Sequence, residues 1–143
     1  MKSYVAIFLF AAFLLCCGPS NQIAKTSKET NYSEEDIVKI ANDELEYEII
    51  IIEPGFNFWL QSVARPEGYY SQPFLESRNR ILVQEWNQRV LQPYVYNPNL
   101  YEMQIDYNPN IDYGYEVNYK LYNYFVYFQL HYKQRLSSFV PRI

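Results

Sequence analysis

The sequence predicts an α+β fold, in which a small, mostly helical domain carries one short sheet of about two strands. Two patterns predict this class: apolar residues recur at helical spacing in several segments, and one β-branched run has the alternation of a strand. Nothing indicates disorder of the whole chain, because 49% of the residues are hydrophobic and 19% are aromatic. We therefore predict a signal peptide over residues 1–16, a lipidated cysteine with a flexible tether over residues 17–32, and one compact domain over residues 33–143.

The first residues have the parts of a bacterial lipoprotein signal peptide. Lys2 supplies a positive charge, and residues 5–15 form a continuous apolar run that is too short to span a membrane, which needs roughly 20 residues. The stretch "LLCCG" resembles a lipobox, in which Cys16 is the small residue before the cleavage site and Cys17 is the residue that receives lipid. The alternatives are an ordinary signal peptide with two incidental cysteines, or an uncleaved anchor.

Lipidation of Cys17 has consequences for chemistry and location. Cleavage removes Cys16 and acylation blocks the sulfur of Cys17, so we expect no disulfide, no thiol catalysis and no cysteine metal site. Each buried methylene of an acyl chain contributes ~0.8 kcal/mol to membrane anchoring. No acidic run follows Cys17, which favours an outer-membrane position facing the periplasm.

The formal net charge of −4 and the lack of a basic patch indicate that the protein does not bind nucleic acid.

The domain is predicted to begin with a short helix followed by a strand. Ser33 is a favourable helix cap, and acidic residues follow it, so "SEEDIVKIANDE" predicts a helix. The next run, "LEYEIIIIEPGF", alternates apolar and acidic residues and then becomes continuous over Ile49–Ile52. This pattern predicts a strand that is buried on both faces at its end, and Pro54-Gly55 predicts the turn that ends it.

Two helices are predicted after this turn. A short helix over "FNFWLQSVA" carries Phe56 and Trp59, and Arg65-Pro66-Glu67-Gly68 ends it. Ser71 caps a longer helix over "QPFLESRNRILVQEWNQRVLQ". One face of that helix is apolar, with Leu75, Leu82, Val83, Trp86 and Val90. Two pairs on it have the spacing of helical ion pairs, Glu76 with Arg80 and Glu85 with Arg89.

The last third contains two predicted turns, a weaker strand and a final helix. Two Asn-Pro-Asn turns flank "LYEMQIDY", which predicts a short strand that pairs with residues 47–53. The final helix, "YEVNYKLYNYFVYFQLHYKQRL", is apolar on two opposite sides, so it is either central in the domain or covered by a partner. We predict that its face of Tyr115, Tyr119 and Tyr122 binds a partner, and a half-wet core face is the alternative.

Several unusual sequence segments resemble those of a known family. These are "EYEIIIIEPGFNFWL", "EWNQRV", "YNPNLYE", "IDYNPNIDYGYEVNY" and "LYNYF". They resemble a family of small Bacteroidota lipoproteins that is defined only as a domain of unknown function, over roughly Leu45 to Arg135. The resemblance implies a lipoprotein and implies nothing about activity, ligand or fold.

A weak calcium motif is present in "DYNPNID". Oxygen-bearing side chains alternate at Asp106, Asn108, Asn110 and Asp112, as in the first half of a calcium-binding loop. The position that requires glycine holds Ile111, and a proline occupies the fourth position. Asn and Asp turns, with Asp112 capping the last helix, are the alternative interpretation. No other cofactor is predicted.

The sequence does not predict an enzyme. His131 is the only histidine, and neither a serine elbow nor a glycine-rich phosphate loop is present. A small hydrolase with paired carboxylates stays open, and its candidate residues are Glu53, Glu76, Glu85, Asp106 and Asp112.

The favoured function is that of a membrane-anchored accessory component of the cell envelope, which binds an envelope protein through its tyrosines. The alternative is a module that binds a glycan or Ca²⁺. For a glycan, Trp59, Trp86 and the tyrosines of the predicted partner face are the candidates for a stacking platform, although both tryptophans lie on helical stripes typical of a core.

Overall fold

The computed structural model describes residues 33–141 and 143. The predicted signal peptide, Cys17 and the tether lie outside the described residues. In the described part of the chain, a two-stranded antiparallel sheet precedes three α-helices. The elements are β1 (Ile37–Asn42), β2 (Tyr47–Ile52), α1 (Phe56–Ser62), α2 (Gln72–Val90) and α3 (Gly114–His131). The predicted α+β class is confirmed.

The segment predicted as the first helix is a strand, so that prediction is wrong. Ser33 does form a capping box, but it begins only a single 3-10 turn over Glu34–Asp36. The chain then extends into β1, where Val38 and Ile40 are buried and alternate with exposed neighbours. Alternating burial has the period of a strand, which explains why tertiary packing overrides the helix-start signal.

The two strands form a hairpin whose register runs from Ile37 opposite Ile52 to Asn42 opposite Tyr47. Asn42 directs the connection, because its side-chain oxygen accepts hydrogen bonds from the backbone N–H groups of Glu44 and Leu45. The same side chain donates to the carbonyl of Tyr113, 3.0 Å away, which ties the hairpin to the start of α3.

The predicted strand β2 is confirmed, but its predicted burial on both faces is wrong. Ile50 and Ile52 are 53% and 49% exposed. The strand that was predicted between the Asn-Pro-Asn turns is also absent from the described residues, and β2 pairs with β1 instead. The reason is that side chains of α2 satisfy the backbone of that segment. Trp86 Nε1 donates to the carbonyl of Met103, and the Asn87 amide exchanges two 2.8 Å hydrogen bonds with the backbone of Ile105.

Helix α3 lies at the centre of the described domain. It packs against α2, against β1 and against α1. Every residue from Leu121 to Gln129 is buried, as expected for a helix that is apolar on both sides. None of the helices in the described part of the chain has the length and hydropathy needed to cross a bilayer.

Candidate docking groove

The three tyrosines predicted as a partner-binding face do not form an exposed surface. Tyr119 and Tyr122 are only 5% and 6% exposed, and only Tyr115 is half-buried. The Tyr119 hydroxyl donates to the carbonyl of Arg65 at 2.8 Å, and the ring of Tyr122 packs edge-on against Tyr70. These contacts correct the expectation of an open tyrosine face, because the domain's own loop between α1 and α2 covers the rings.

The weak calcium motif is built as a pair of turns. Its four residues are Asp106, Asn108, Asn110 and Asp112. Asn108 Oδ1 accepts the backbone N–H of Asn110, and Asp112 Oδ1 accepts from Gly114 N and Gln72 Nε2. Residues 33–141 and 143 hold no cluster of three or more His, Cys, Asp or Glu side chains placed to bind a metal. Calcium binding here stays a prediction, and the geometry matches the turn and helix-cap interpretation.

A different feature, a groove along β2, has the geometry of a binding site. One wall is β2 itself and the other is the irregular segment from Asn99 to Asp106. The volume between them is about 590 Å³. We call this cleft the edge groove. Aromatic side chains form its floor, namely Trp86, Tyr124, Phe128 and Tyr132.

The backbone of β2 presents an unpaired edge to this groove. The N–H of Glu53 donates to the carbonyl of Asp36 at 2.8 Å, which makes these two residues a hydrogen-bonded pair of the ladder. Because such pairs alternate along antiparallel strands, the backbone groups of Glu48, Ile50 and Ile52 point away from β1. Those groups make no backbone hydrogen bond to any other described residue outside the hairpin.

The outer edge of β1 has a hydrogen-bond partner at one end. The Asn57 side chain, on α1, donates to the carbonyls of Glu35 and Ile37 at 2.9 Å each. The carbonyl of Ile37 faces away from β2, as the alternation requires. The Asn57 amide covers only the Ile37 end of this edge, because no hydrogen bond from another described residue reaches the outward backbone groups of Lys39 and Ala41. The edge of β2 has no such cover at Glu48, Ile50 or Ile52, and it faces the groove.

Exposed apolar side chains flank the open edge. Ile50 and Ile52 are about half exposed, Ile37 lies opposite Ile52 in the register, and Met103 on the facing wall is 60% exposed. Native sheets normally protect an edge with charges, proline or a covering element, because an open apolar edge pairs readily with other chains. Residues 49–52 of β2 are all isoleucines, so this part of the strand itself carries neither a charge nor a proline.

The groove is acidic. Its lining includes five carboxylates and no Lys, Arg or His side chain. The five are Glu46, Glu48, Glu53, Glu102 and Asp106. Glu48 forms a 2.6 Å ion pair with Lys39, which lies on the neighbouring strand outside the lining. The other four carboxylates have no ion-pair partner among the described residues.

Glu53 is the one buried carboxylate of the groove, with only 4% of its surface exposed. Its Oε1 accepts a 2.9 Å hydrogen bond from the hydroxyl of Tyr132. Burial raises the pKa of Glu53, and the charge of Glu102 raises it further, while the Tyr132 bond and His131 act in the opposite direction. Tyr132 responds in turn, and its burial together with its bond to Glu53 raises the pKa of Tyr132 to about 12.

A second cleft shares no lining residue with the edge groove, and we call it the aromatic groove. It has a volume of about 600 Å³. The guanidinium of Arg78 lies 4.2 Å from the ring centre of Phe139, and that of Arg65 lies 4.9 Å from that of Tyr69. Tyr69 is 57% exposed, so its ring is available for stacking.

The comparisons with known proteins identify the family. A family model matches residues 5–140. The chain belongs to the family of unknown function DUF6146. The resemblance to a family of unknown function is thereby confirmed. The match covers residues 5–140, which is more of the chain than the range of roughly Leu45 to Arg135 over which the resemblance is seen. No curated protein and no solved structure matches the chain significantly. Membership of DUF6146 brings no activity with it.

Proposed function

We propose that this member of DUF6146 is a membrane-anchored lipoprotein of the cell envelope that acts as a non-catalytic interaction component. A protein partner docks in the edge groove by adding an extended segment to β2. The single observation that carries this proposal is the unpaired backbone of Glu48, Ile50 and Ile52, which lies between exposed isoleucines and an aromatic floor.

Strand addition explains these features together. Main-chain hydrogen bonds to an open sheet edge supply affinity, and pockets for alternate side chains supply specificity. An added strand would pair with the outward groups of β2 and would cover Ile50 and Ile52. It would also rest one row of side chains on Trp86, Tyr124 and Phe128. The edge of β2 is free for this because the segment opposite is held on α2 rather than paired with β2.

Photo-crosslinking tests the docking surface. A photoreactive amino acid at position 50 of the full lipidated protein, in its native envelope, is expected to capture one partner at fixed stoichiometry. The same substitution at Ile81 is the matched control, since Ile81 is 43% exposed on α2 and lies outside the groove. Equal capture at both positions, or none at position 50, contradicts the proposal.

The membrane anchor has a separate test. The two adjacent cysteines allow a matched pair of variants, Cys17→Ser and Cys16→Ser. We expect Cys17→Ser to abolish incorporation of a palmitate analogue and release the protein from membranes, while Cys16→Ser keeps both. Incorporation that survives Cys17→Ser excludes this anchor.

A second candidate function is that of a module for an acidic glycan. The observation that favours it is the aromatic groove, where the guanidinium of Arg65 lies beside the exposed ring of Tyr69 and that of Arg78 lies over the ring of Phe139. An exposed ring can stack on a pyranose, and guanidinium groups bind carboxylates. Thermal-shift measurements with uronate-containing and neutral oligosaccharides test it. Tyr69→Ala should remove any shift, whereas Tyr94→Ala, on a fully exposed ring outside the groove, should not.

A further inference from the structure

We infer that the segment bound by the edge groove carries a lysine or arginine opposite Glu53, followed by apolar residues at every second position. This inference rests on the proposed docking function and names the chemistry of the occupant. It follows from three observations, which are the side-chain alternation of β2, the charge of the groove and the burial of Glu53.

The alternation of β2 fixes which positions of the occupant face the floor. Ile49, Ile51 and Glu53 point their side chains inward, because they alternate with the exposed Ile50 and Ile52. In an added strand, the residues opposite them point to the same face. The residues opposite Ile49 and Ile51 would therefore lie over the aromatic floor, where apolar side chains fit. The residue of the added strand that lies opposite Glu53 would instead face the Glu53 carboxylate.

The charge of the groove selects a cationic occupant and disfavours a second copy of this chain. Five carboxylates line the cleft without a basic side chain among them. A symmetric dimer across β2 would bring two such sets together, and like charges across an interface weaken association. A lysine or arginine side chain brings the opposite charge, and a hydrogen bond between two charged groups is stronger than a neutral one.

Glu53 fixes the position of the cation. Glu53 is only 4% exposed, at the end of the groove where β2 stops, and the one side-chain hydrogen bond that its carboxylate receives comes from Tyr132. A buried carboxylate is favourable when a cation and further hydrogen bonds compensate it. No Lys or Arg of the lining does so. An ammonium or guanidinium group of the partner can approach from the groove and neutralise Glu53.

Binding of synthetic peptides to the full chain tests this inference. The probes are the blocked, labelled heptapeptide Thr-Lys-Thr-Val-Thr-Val-Thr and the peptide with the reverse order, since the edge accepts strands of either direction. The comparison peptides replace Lys by norleucine. Measured by fluorescence anisotropy, the norleucine peptide should bind more weakly than the lysine peptide, by about tenfold or more. In the Glu53→Gln variant, the lysine and norleucine peptides should differ by about twofold or less.

A backbone control separates the inference from the proposed function. N-methylation of the peptide residue that faces Ile50 removes its N–H without changing charge, and it should abolish binding if the peptide pairs with β2. If norleucine and lysine peptides bind equally and N-methylation abolishes both, strand docking stands and the cation inference is wrong. If N-methylation has no effect, or if no peptide binds, the docking site fails as well. A mass measurement that shows a dimer, broken by Ile50→Lys, identifies a second copy as the occupant and overturns the inference.

Discussion

The hydroxyl of Tyr132 donates a 2.9 Å hydrogen bond to the carboxylate of Glu53. This bond joins the residue that follows α3 to the residue that follows β2, at one end of the edge groove. It is the one side-chain hydrogen bond to Glu53 in the described structure, and burial still raises the pKa of that carboxyl. A buried charge with so little compensation is typical of a functional position, because native folds retain such groups where activity needs them.

We predict that Glu53→Gln stabilises the protein at neutral pH. The folded chain holds the Glu53 proton to a higher pH than the unfolded chain, whose carboxyl has the ordinary pKa of 4.5. The contribution of Glu53 to the unfolding free energy is therefore fully present below the ordinary pKa of the unfolded chain. It falls as the pH rises towards the raised pKa of the folded chain, and it stays low above that pKa. Glutamine keeps an acceptor for Tyr132 and has no charge. Thermal unfolding should show a higher Tm than wild type at pH 7 and a vanishing difference near pH 4.

The groups that face Glu53 define the controls for this pH dependence. Glu102, His131 and Tyr132 act on the pKa of Glu53 directly. Burial, and after it the charge of Glu53, raises the pKa values of Tyr124 and Tyr127. Glu46→Gln, on an exposed carboxylate of the same groove, should change Tm little at either pH. A loss of stability in Glu53→Gln at pH 7 contradicts the prediction.

We predict that Gly55→Ala destabilises the protein more than Gly68→Ala. Both glycines have φ of +82°, so alanine at either position adopts a left-handed conformation that costs roughly 1–2 kcal/mol. A methyl group at Gly55 would also lie 3.3 Å from the hydroxyl of Tyr127, which donates to the carbonyl of Pro54. At Gly68 nothing lies within 4 Å. Denaturant unfolding measures both variants, and equal losses would show that the Tyr127 contact relaxes freely.

We predict that Asn87→Ala loosens the wall of the edge groove opposite β2. The Asn87 amide donates to the carbonyl of Ile105 and accepts from its N–H, and alanine leaves both groups of this buried residue unpaired. The expected loss is about 2–4 kcal/mol of unfolding free energy. Amide hydrogen exchange should show faster exchange from Met103 to Asp106.

Gln88→Ala is the matched control for this variant. Gln88 is the next residue of α2 and its side chain is exposed, so a change within about 0.5 kcal/mol is expected. If the two variants have the same amide exchange rates from Met103 to Asp106 and the same unfolding free energy, the Asn87 amide does not hold that segment in place.

The sequence predicted the helices better than the sheet, and the reason is physical. The patterns around Leu75, Leu82 and Val83 on α2 are long and periodic, so local spacing determines their burial. The partner of β2 depends instead on tertiary contacts. The segment near Ile105 has a strand pattern, but the Asn87 amide takes its backbone hydrogen bonds, and a single sequence gives no sign of that competition.

The edge groove was missed for a related reason. A run of four isoleucines, Ile49–Ile52, indicates burial on both faces, yet a strand at the edge of a two-stranded sheet leaves Ile50 and Ile52 half exposed. The available signal was the acidic setting of that run, with Glu46, Glu48 and Glu53 around it. Strands that are buried on both faces seldom have so many carboxylates at their ends.

We predict that Tyr122→Ala destabilises the domain far more than Tyr115→Ala. Tyr122 is 6% exposed and packs against the rings of Tyr70 and Phe74, so truncation creates a cavity and should lower the unfolding free energy by about 3–5 kcal/mol. Tyr115 is half-buried, and its hydroxyl accepts a 2.6 Å bond from the N–H of Gly68, so its loss should be about 1 kcal/mol. Urea unfolding of the two variants measures both values. Similar small losses would mean that Tyr122 contributes little to the core, and the open tyrosine face predicted from the sequence would then become the better account of these residues.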